Sequence, residues 1–218
     1  MKHNQALMTG ADSKLRCFWC GDDKLYVEYH DRQWGRPVVE DIALYEKICL
    51  EGFQSGLSWL TILRKRESFR KAFRGFDPKI VAKFTKRDVS RLLKDESIVR
   101  HRGKIEAAIQ NAKCALDVQQ QFGSLATFIW SFRPEAATAR TSKPPRRTSE
   151  IKSSTQESEA LSQALRKRGF KFVGPTTMYA AMQSLGLVND HFEGCFVREI
   201  CSKQQMIALK NIRKTVVA

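Results

Sequence analysis

Two pairs of metal-binding side chains stand at opposite ends of the chain and limit how it can fold. Cys17 and His30 lie near the N-terminus, and His191 and Cys195 lie near the C-terminus. Cysteine and histidine are the ligands that Zn²⁺ prefers, and two of each close a tetrahedral structural site. A shared ion would join the two terminal segments. The spacing of Cys17 and Cys20 also suits a metal, so the pattern equally allows Cys20 in place of His30.

The apolar residues between these pairs predict an all-α domain over residues 16–196. They recur at helical spacing, and no clear run alternates as a half-buried strand would. Asp77-Pro78, and Thr85 with Asp88, predict two helix starts, because each places a capping side chain at the first turn.

Three segments lack this helical pattern. Residues 1–15 are predicted to form a flexible N-terminal arm, and residues 197–218 a polar, basic and partly disordered C-terminal tail. Residues 133–156 contain three prolines and many Ser, Thr, Lys and Arg residues, which predicts a surface loop within the domain.

Positive charge is in large excess. The 218 residues include 38 Lys and Arg against 23 Asp and Glu, a formal net charge of +15. Residues 64–106 hold fifteen Lys or Arg and six Asp or Glu, so this stretch alone carries +9. The excess indicates a polyanionic partner, with nucleic acid ahead of an anionic membrane surface. Solvated helix faces are the alternative explanation for a charge run.

The chain has no run of about 20 apolar residues that could cross a bilayer, and its first 16 residues lack a secretory signal. We therefore expect no membrane partner and a cytoplasmic location. Six cysteines in such a chain favour metal ligands and buried thiols over disulfides.

A basic turn in the middle of the chain could bind a phosphate. Arg100, His101, Arg102, Gly103 and Lys104 lie between two helical stretches. Backbone N–H groups at such a turn point towards an anion, and flanking basic side chains add charge. An ordinary helix–helix turn is the alternative, since glycine is common there.

Glu51 is an acidic residue in an apolar segment, and several aromatic residues lie close to this segment in sequence. Glu51 lies between Leu50 and Gly52, where a buried carboxylate would need a partner. The aromatic residues close to it in sequence are Trp19, Tyr26, Tyr29, Trp34 and Trp59. Rings and one carboxylate suit a flat cationic base, which stacks on the rings while the acid pairs with its charge. The alternative is that the aromatic residues are core and Glu51 is a surface acid.

The residues after Glu51 suggest a loop tip that touches DNA. Gln54, Gly56 and Leu57 place an apolar side chain beside a glycine. Enzymes that turn a base out of the duplex fill the gap with an apolar wedge, and Leu57 is the candidate. An ordinary core leucine is the alternative.

Together these motifs resemble the type I 3-methyladenine DNA glycosylases over roughly residues 16 to 195. The segments that carry the resemblance are Arg16-Cys17-x-Trp19, Tyr26-x-x-Tyr29-His30-Asp31-x-x-Trp34-Gly35, Leu50-Glu51-Gly52-x-Gln54-x-Gly56-Leu57-Ser58-Trp59, Phe76-Asp77-Pro78, Arg100-His101-Arg102-Gly103-Lys104-Ile105, Trp130-Ser131-Phe132, Lys167-Arg168-Gly169-Phe170-Lys171-Phe172-Val173-Gly174 and Gly186-Leu187-Val188-Asn189-Asp190-His191.

The resemblance implies an all-α, helix-hairpin-helix glycosylase fold with a structural zinc. It implies Cys17, His30, His191 and Cys195 as the ligands, and Glu51 as the residue that contacts the methylated adenine in the aromatic pocket. The family lacks the catalytic aspartate of most related glycosylases, and this chain has Ile151-Lys152-Ser153 in that region.

The function implied is excision of 3-methyladenine from double-stranded alkylated DNA, which leaves an abasic site. The enzyme is expected to act as a monomer and, in a bacterium, to associate with the nucleoid. Two alternatives come from other classes: a catalytically silent protein that binds alkylation damage, and a zinc-stabilised RNA-binding module.

Overall fold

A computed structural model of the protein describes residues 6–134 and 143–217. The described chain is mostly helical, as predicted, and contains ten α-helices. In chain order these are α1 Lys24–Arg32, α2 Asp41–Gln54, α3 Trp59–Ala72, α4 Pro78–Val81, α5 Lys86–Lys94, α6 Arg102–Phe122, α7 Leu125–Trp130, α8 Gln156–Lys167, α9 Pro175–Ser184 and α10 Arg198–Val217. Short 3₁₀ helices lie at Phe18–Cys20, Arg74–Phe76 and Thr148–Glu150.

Helix α2 runs through the centre of the core. Leu44, Ile48 and Phe53 are fully buried, and helices α3, α6, α7 and α9 contact α2. A helix that is covered on most sides buries polar positions together with apolar ones. Charged residues on this helix, such as Lys47 and Glu51, must therefore find partners inside the protein.

Both predicted helix starts are confirmed. The Asp77 carboxylate accepts a hydrogen bond from the backbone N–H of Lys79, and Pro78 occupies the first turn of α4. Thr85 and Asp88 form a capping box at the start of α5, in which Asp88 accepts from the Thr85 backbone N–H at 2.9 Å. These local signals fix where the helices of the basic region begin.

The N-terminal segment differs from the predicted flexible arm. Strand β1, Leu7–Thr9, pairs in an antiparallel manner with β2, Leu15–Cys17, so the expectation of no strand is wrong here. The hairpin packs on a small apolar cluster that includes Phe192, Cys195 and Val197. Strands of three residues are too short to show an alternating pattern, and distant residues supply the surface that holds them.

The C-terminal segment also differs from prediction. Residues 198–217 form helix α10, where a partly disordered tail was expected. Ala208, Leu209 and Ile212 pack against the main core, and α10 contacts α7. Its mixture of basic and apolar residues gives a weak pattern in the sequence, and tertiary contact provides the burial that orders it.

Part of the predicted surface loop, residues 135–142, lies outside the described residues. Residues 143–155 contain one 3₁₀ helix and no α-helix. Within the described chain, no helix is both long and apolar enough to span a membrane.

Candidate functional site

Four buried side chains converge where β2, α1 and the segment between α9 and α10 meet. The ligand atoms of Cys17, His30, His191 and Cys195 lie within 4.8 Å of one another. His191 Nδ1 is 3.5 Å from both cysteine Sγ atoms, and His30 Nε2 is 3.5 Å from Cys195 Sγ. A tetrahedral zinc with ordinary bond lengths holds sulfur and nitrogen about 3.5 Å apart. The cluster therefore has the dimensions of a closed two-Cys, two-His site.

Of the two ligand sets that the spacing allowed, the structure brings together the one that contains His30. Cys20 is buried too, but its Sγ lies 3.8 Å from the carbonyl oxygen of Gly21 and is not part of the cluster. The helical turn of α1 carries His30 inwards, and this placement could not be read from the spacing of the cysteines.

The second nitrogen of each histidine ring also has a partner. His30 Nδ1 lies 2.8 Å from Asp31 Oδ1, and Arg16 donates to Asp31 Oδ2 at 2.8 Å. His191 Nε2 lies 3.3 Å from the backbone oxygen of Trp34. Burial opposes ionisation of Asp31, but hydrogen bonds from Arg16 and His30 hold its pKa below the ordinary value. Such partners orient the rings of metal-bound histidines.

The cluster favours a thiolate at Cys195. The hydrogen bond from Cys17 holds the pKa of Cys195 far below its ordinary value in spite of burial, and contacts with His191 and His30 act in the same direction. The same thiol contact, together with burial, raises the pKa of Cys17. A buried thiolate favours a bound cation.

A cavity of about 400 Å³ opens beside the cluster. All five predicted aromatic residues, Glu51 and Gln54 line it. The aromatic rings contact one another: the centroids of Trp19 and Trp34 are 5.0 Å apart, and those of Tyr29 and Trp59 are 5.4 Å apart. Cavities of this size hold small molecules, and fixed rings offer faces on which a base can stack.

Glu51 is the buried acid of this cavity, with 4% of its surface exposed. Its Oε1 atom is 3.1 Å from Lys47 Nζ, one helical turn earlier on α2, and 3.4 Å from the Ser184 hydroxyl. The alternative of a surface acid is therefore wrong. Burial raises the pKa of Tyr26 to about 12, so this neighbouring phenol remains uncharged at neutral pH.

The loop between α2 and α3 places Leu57 in solvent. Gly56 has φ of +80°, a conformation that favours glycine, and Leu57 is 42% exposed, so it is not a core leucine. Lys104 supports this loop from inside, since its Nζ donates to the carbonyl oxygens of Phe53 at 2.9 Å and Ser55 at 2.6 Å.

The basic turn between α5 and α6 has mixed exposure. Arg100 and Arg102 are exposed and pair with Glu96 and Glu106. The His101 ring caps α6 by accepting from the backbone N–H of Lys104. The Lys104 side chain is buried against the α2–α3 loop, which corrects the prediction that it faces a phosphate. A Cβ at Gly103 would lie 3.3 Å from the His101 ring, so glycine allows this cap to pack closely.

Comparison with known proteins decides the family. The methyladenine glycosylase family matches residues 19–199. The chain belongs to this family. It is 50% identical over 183 residues to DNA-3-methyladenine glycosylase 1 of Escherichia coli (strain K12), which covers 83% of this chain and 95% of that protein. It is 47% identical over 180 residues to DNA-3-methyladenine glycosylase of Haemophilus influenzae, which covers 83% and 96%.

Solved structures of the family share the fold. A crystal structure of 3-methyladenine DNA glycosylase I has a TM-score of 0.77 at 48% identity, and covers 83% of this chain and 98% of that one. A structure from Staphylococcus aureus, described as the basis of 3-methyladenine recognition by that enzyme, has a TM-score of 0.76 at 35% identity, and covers 84% and 96%.

This methyladenine glycosylase family member has cavity residues that the sequence did not assign. They are Phe18, Thr148, Ile151, Ala180, Gln183, Asp190 and Phe192. Asp190 accepts hydrogen bonds from the Tyr179 hydroxyl at 2.5 Å and from Gln183 Nε2 at 2.8 Å. In the sequence, the feature that could have indicated Asp190 was its position next to His191, a predicted metal ligand. Lys47 had a signal as well, because it lies four residues before Glu51 on a predicted helix.

Proposed function

We propose that the protein hydrolyses the N-glycosidic bond of 3-methyladenine in alkylated double-stranded DNA and leaves an abasic site. One observation carries this proposal: a buried carboxylate, Glu51, lies on the wall of an aromatic cavity large enough for one base. The relatives that are named for this activity are about half identical to the chain.

The chemistry demands recognition more than acid catalysis. Methylation at N3 gives the adenine a positive charge and weakens its bond to the sugar. Ring faces attract a flat cation, and the Glu51 carboxylate pairs with its charge. The base then departs as a neutral molecule, while positive charge develops on the sugar beside the DNA phosphates and water adds to the sugar carbon.

The partner would be a duplex whose damaged base is turned out into the cavity. Exposed Leu57 would fill the gap, with Gln54 and Gly56 beside it. The α5–turn–α6 unit would act as a helix-hairpin-helix that contacts the backbone through Arg100, Arg102 and the N–H groups near Gly103. We propose that one monomer is sufficient, and that in a bacterium it acts in the cytoplasm on the nucleoid.

We also propose that Cys17, His30, His191 and Cys195 hold one Zn²⁺ ion. The fit is supported by four buried ligand atoms within 4.8 Å and by partners on both histidine rings. Four protein ligands leave no open position, so the ion would stabilise the fold and take no part in the reaction.

The direct test is release of free 3-methyladenine from methylated duplex DNA, measured by mass spectrometry under single-turnover conditions. The intact protein should release the base, and Glu51→Gln should lower the rate by roughly 100-fold, the scale of losing one stabilising group. Absence of release by the intact protein would disprove the function. Tight, salt-sensitive binding of the lesion without release would instead support a damage-binding protein.

A further inference from the structure

Lys47 is a nearly buried cation that has no part in the proposed reaction. Its side chain is 12% exposed. It borders a smaller cavity of about 130 Å³, which Tyr29 and Trp59 also line. The same two residues also line the base cavity, which is the cavity of about 400 Å³ proposed to hold the base, and Lys47 does not line that cavity. Lys47 therefore lies behind the wall on which the base would stack.

The Lys47 ammonium makes three contacts. Nζ is 3.1 Å from Glu51 Oε1, donates to the Tyr29 hydroxyl at 2.8 Å, and lies 3.7 Å from the centroid of the Trp59 ring. An ammonium has three N–H donors, so these partners account for its bonding capacity. Lys47 joins a carboxylate, a phenol and an indole from three different helical segments.

We propose that Lys47 is the positioning residue of the base cavity, which fixes the Glu51 carboxylate in its charged form and holds the Tyr29 and Trp59 rings as one wall. This inference rests on the proposed function and adds to it how the acid stays ionised without a bound base. Lys47 itself lies behind the wall formed by Tyr29 and Trp59 and does not need to touch the base.

The neighbouring charges do not replace Lys47. Glu46 is paired with Arg70 at 2.9 Å, and Arg66 donates to Gln33. Within residues 6–134 and 143–217, Lys47 is the cation within salt-bridge distance of Glu51. A buried carboxylate that loses its paired cation is strongly disfavoured in the charged form.

The remaining titratable groups near this wall are uncharged phenols or form hydrogen bonds with other residues. Burial raises the pKa of Tyr29 well above its ordinary value, and Glu51 adds to the effect. Burial likewise raises the pKa of Tyr26 to about 12. Asp190 is held by Tyr179 and Gln183. Burial lowers the pKa of Lys47, an effect that the Glu51 carboxylate opposes.

Loss of Lys47 should change how the activity depends on pH. Without the ammonium, no paired cation would oppose the effect of burial, so the balance would move towards the neutral form of Glu51, which does not attract a cationic base. Loss of Lys47 should therefore reduce activity most on the acid side of neutrality and least at higher pH. A purely structural role would reduce activity by the same factor at every pH.

The test is a double-mutant cycle on methylated duplex DNA, with kcat/KM for base release measured from pH 5.5 to 8.5. Lys47→Met should lower kcat/KM on the order of tenfold or more at pH 6, with recovery towards pH 8.5, and Lys47→Arg should retain more activity. In the Glu51→Gln background, Lys47→Met should change the rate less than about threefold. Lys113→Met, at an exposed position of α6, controls for the loss of one positive charge.

A second readout does not depend on catalysis. The carbon-13 NMR signal of the Glu51 carboxyl, assigned with Glu51→Gln, should titrate at higher pH in Lys47→Met than in the intact protein, while circular dichroism shows both folded. An inactive intact protein would disprove the proposed function without affecting this measurement. Equal losses in both backgrounds, or an unchanged Glu51 titration in Lys47→Met, would overturn the role of Lys47.

Discussion

In the Cys17, His30, His191 and Cys195 cluster, each histidine ring has a partner for its second nitrogen, whereas the buried indole N–H of Trp59 in the neighbouring cavity has no acceptor among the described residues. The cluster is closed and buried, and the cavity is open and lined by rings. A region with every polar group satisfied is built for stability. A region that leaves polar and aromatic groups free is built to complete its contacts with a ligand.

The two regions nevertheless touch. The ring centroids of Trp34 and His191 are 4.6 Å apart, and those of Trp19 and His30 are 5.2 Å apart. Substitutions on the two sides of this shared wall should therefore have different consequences. Damage to the cluster should lower stability first and activity as a result, whereas damage to the cavity should lower activity alone.

The largest effect should come from breaking the cluster. Cys195→Ser should reduce the free energy of unfolding by on the order of 4 kcal/mol, because the proposed zinc ion would bind the folded state and not the unfolded chain. Thermal denaturation with and without a chelator measures this. Cys20→Ser is the matched control and should keep both the metal and the chelator sensitivity. Metal retained by Cys195→Ser and lost by Cys20→Ser would reverse the ligand assignment.

A smaller effect should come from the partner of His30. Asp31→Asn should weaken zinc binding by about 10- to 100-fold, because the carboxylate orients the ring and strengthens it as a ligand. Competition with a chromogenic chelator measures the affinity. Asp12→Asn removes another carboxylate partner of Arg16, one that does not touch His30 in this structure, and should have a weaker effect. Equal affinity in Asp31→Asn and the intact protein would contradict this role.

The smallest effect should come from the exposed loop. Leu57→Ala should slow base release from duplex DNA by roughly tenfold, since the gap left by the turned-out base is no longer filled. Release from single-stranded methylated DNA should change little, and the melting temperature should be unchanged because Leu57 is exposed. Ile80→Ala, at an exposed apolar position on α4, is the control. A similar loss on single strands would indicate a role other than filling the duplex.

Local signals in the sequence were sufficient for much of the fold. The Asp77-Pro78 start and the Thr85–Asp88 capping box depend on neighbours within one turn, and the structure confirms both. The β1–β2 hairpin and helix α10 depend on distant contacts, so pattern alone did not predict them. The difference lies in whether the stabilising partner is near in sequence.

The candidate site divides in the same way. Residue type and order indicated the aromatic residues and Glu51, which the structure places around one cavity. Lys104 was predicted to face a phosphate because a lysine in a basic turn is usually exposed, yet it reaches inwards to Phe53 and Ser55. The direction of a long side chain depends on three-dimensional packing that one turn of sequence does not contain.

The positions of the four tryptophans allow intrinsic fluorescence to report on the cavity. Trp19, Trp34 and Trp59 line the cavity, while Trp130 is buried in the core and donates to the Val38 backbone oxygen. Intrinsic fluorescence would combine the emission of three tryptophans that line the cavity with the emission of Trp130, which does not line it. Replacing Trp130 with phenylalanine would remove that constant background and leave a signal that follows occupancy of the cavity without an added dye.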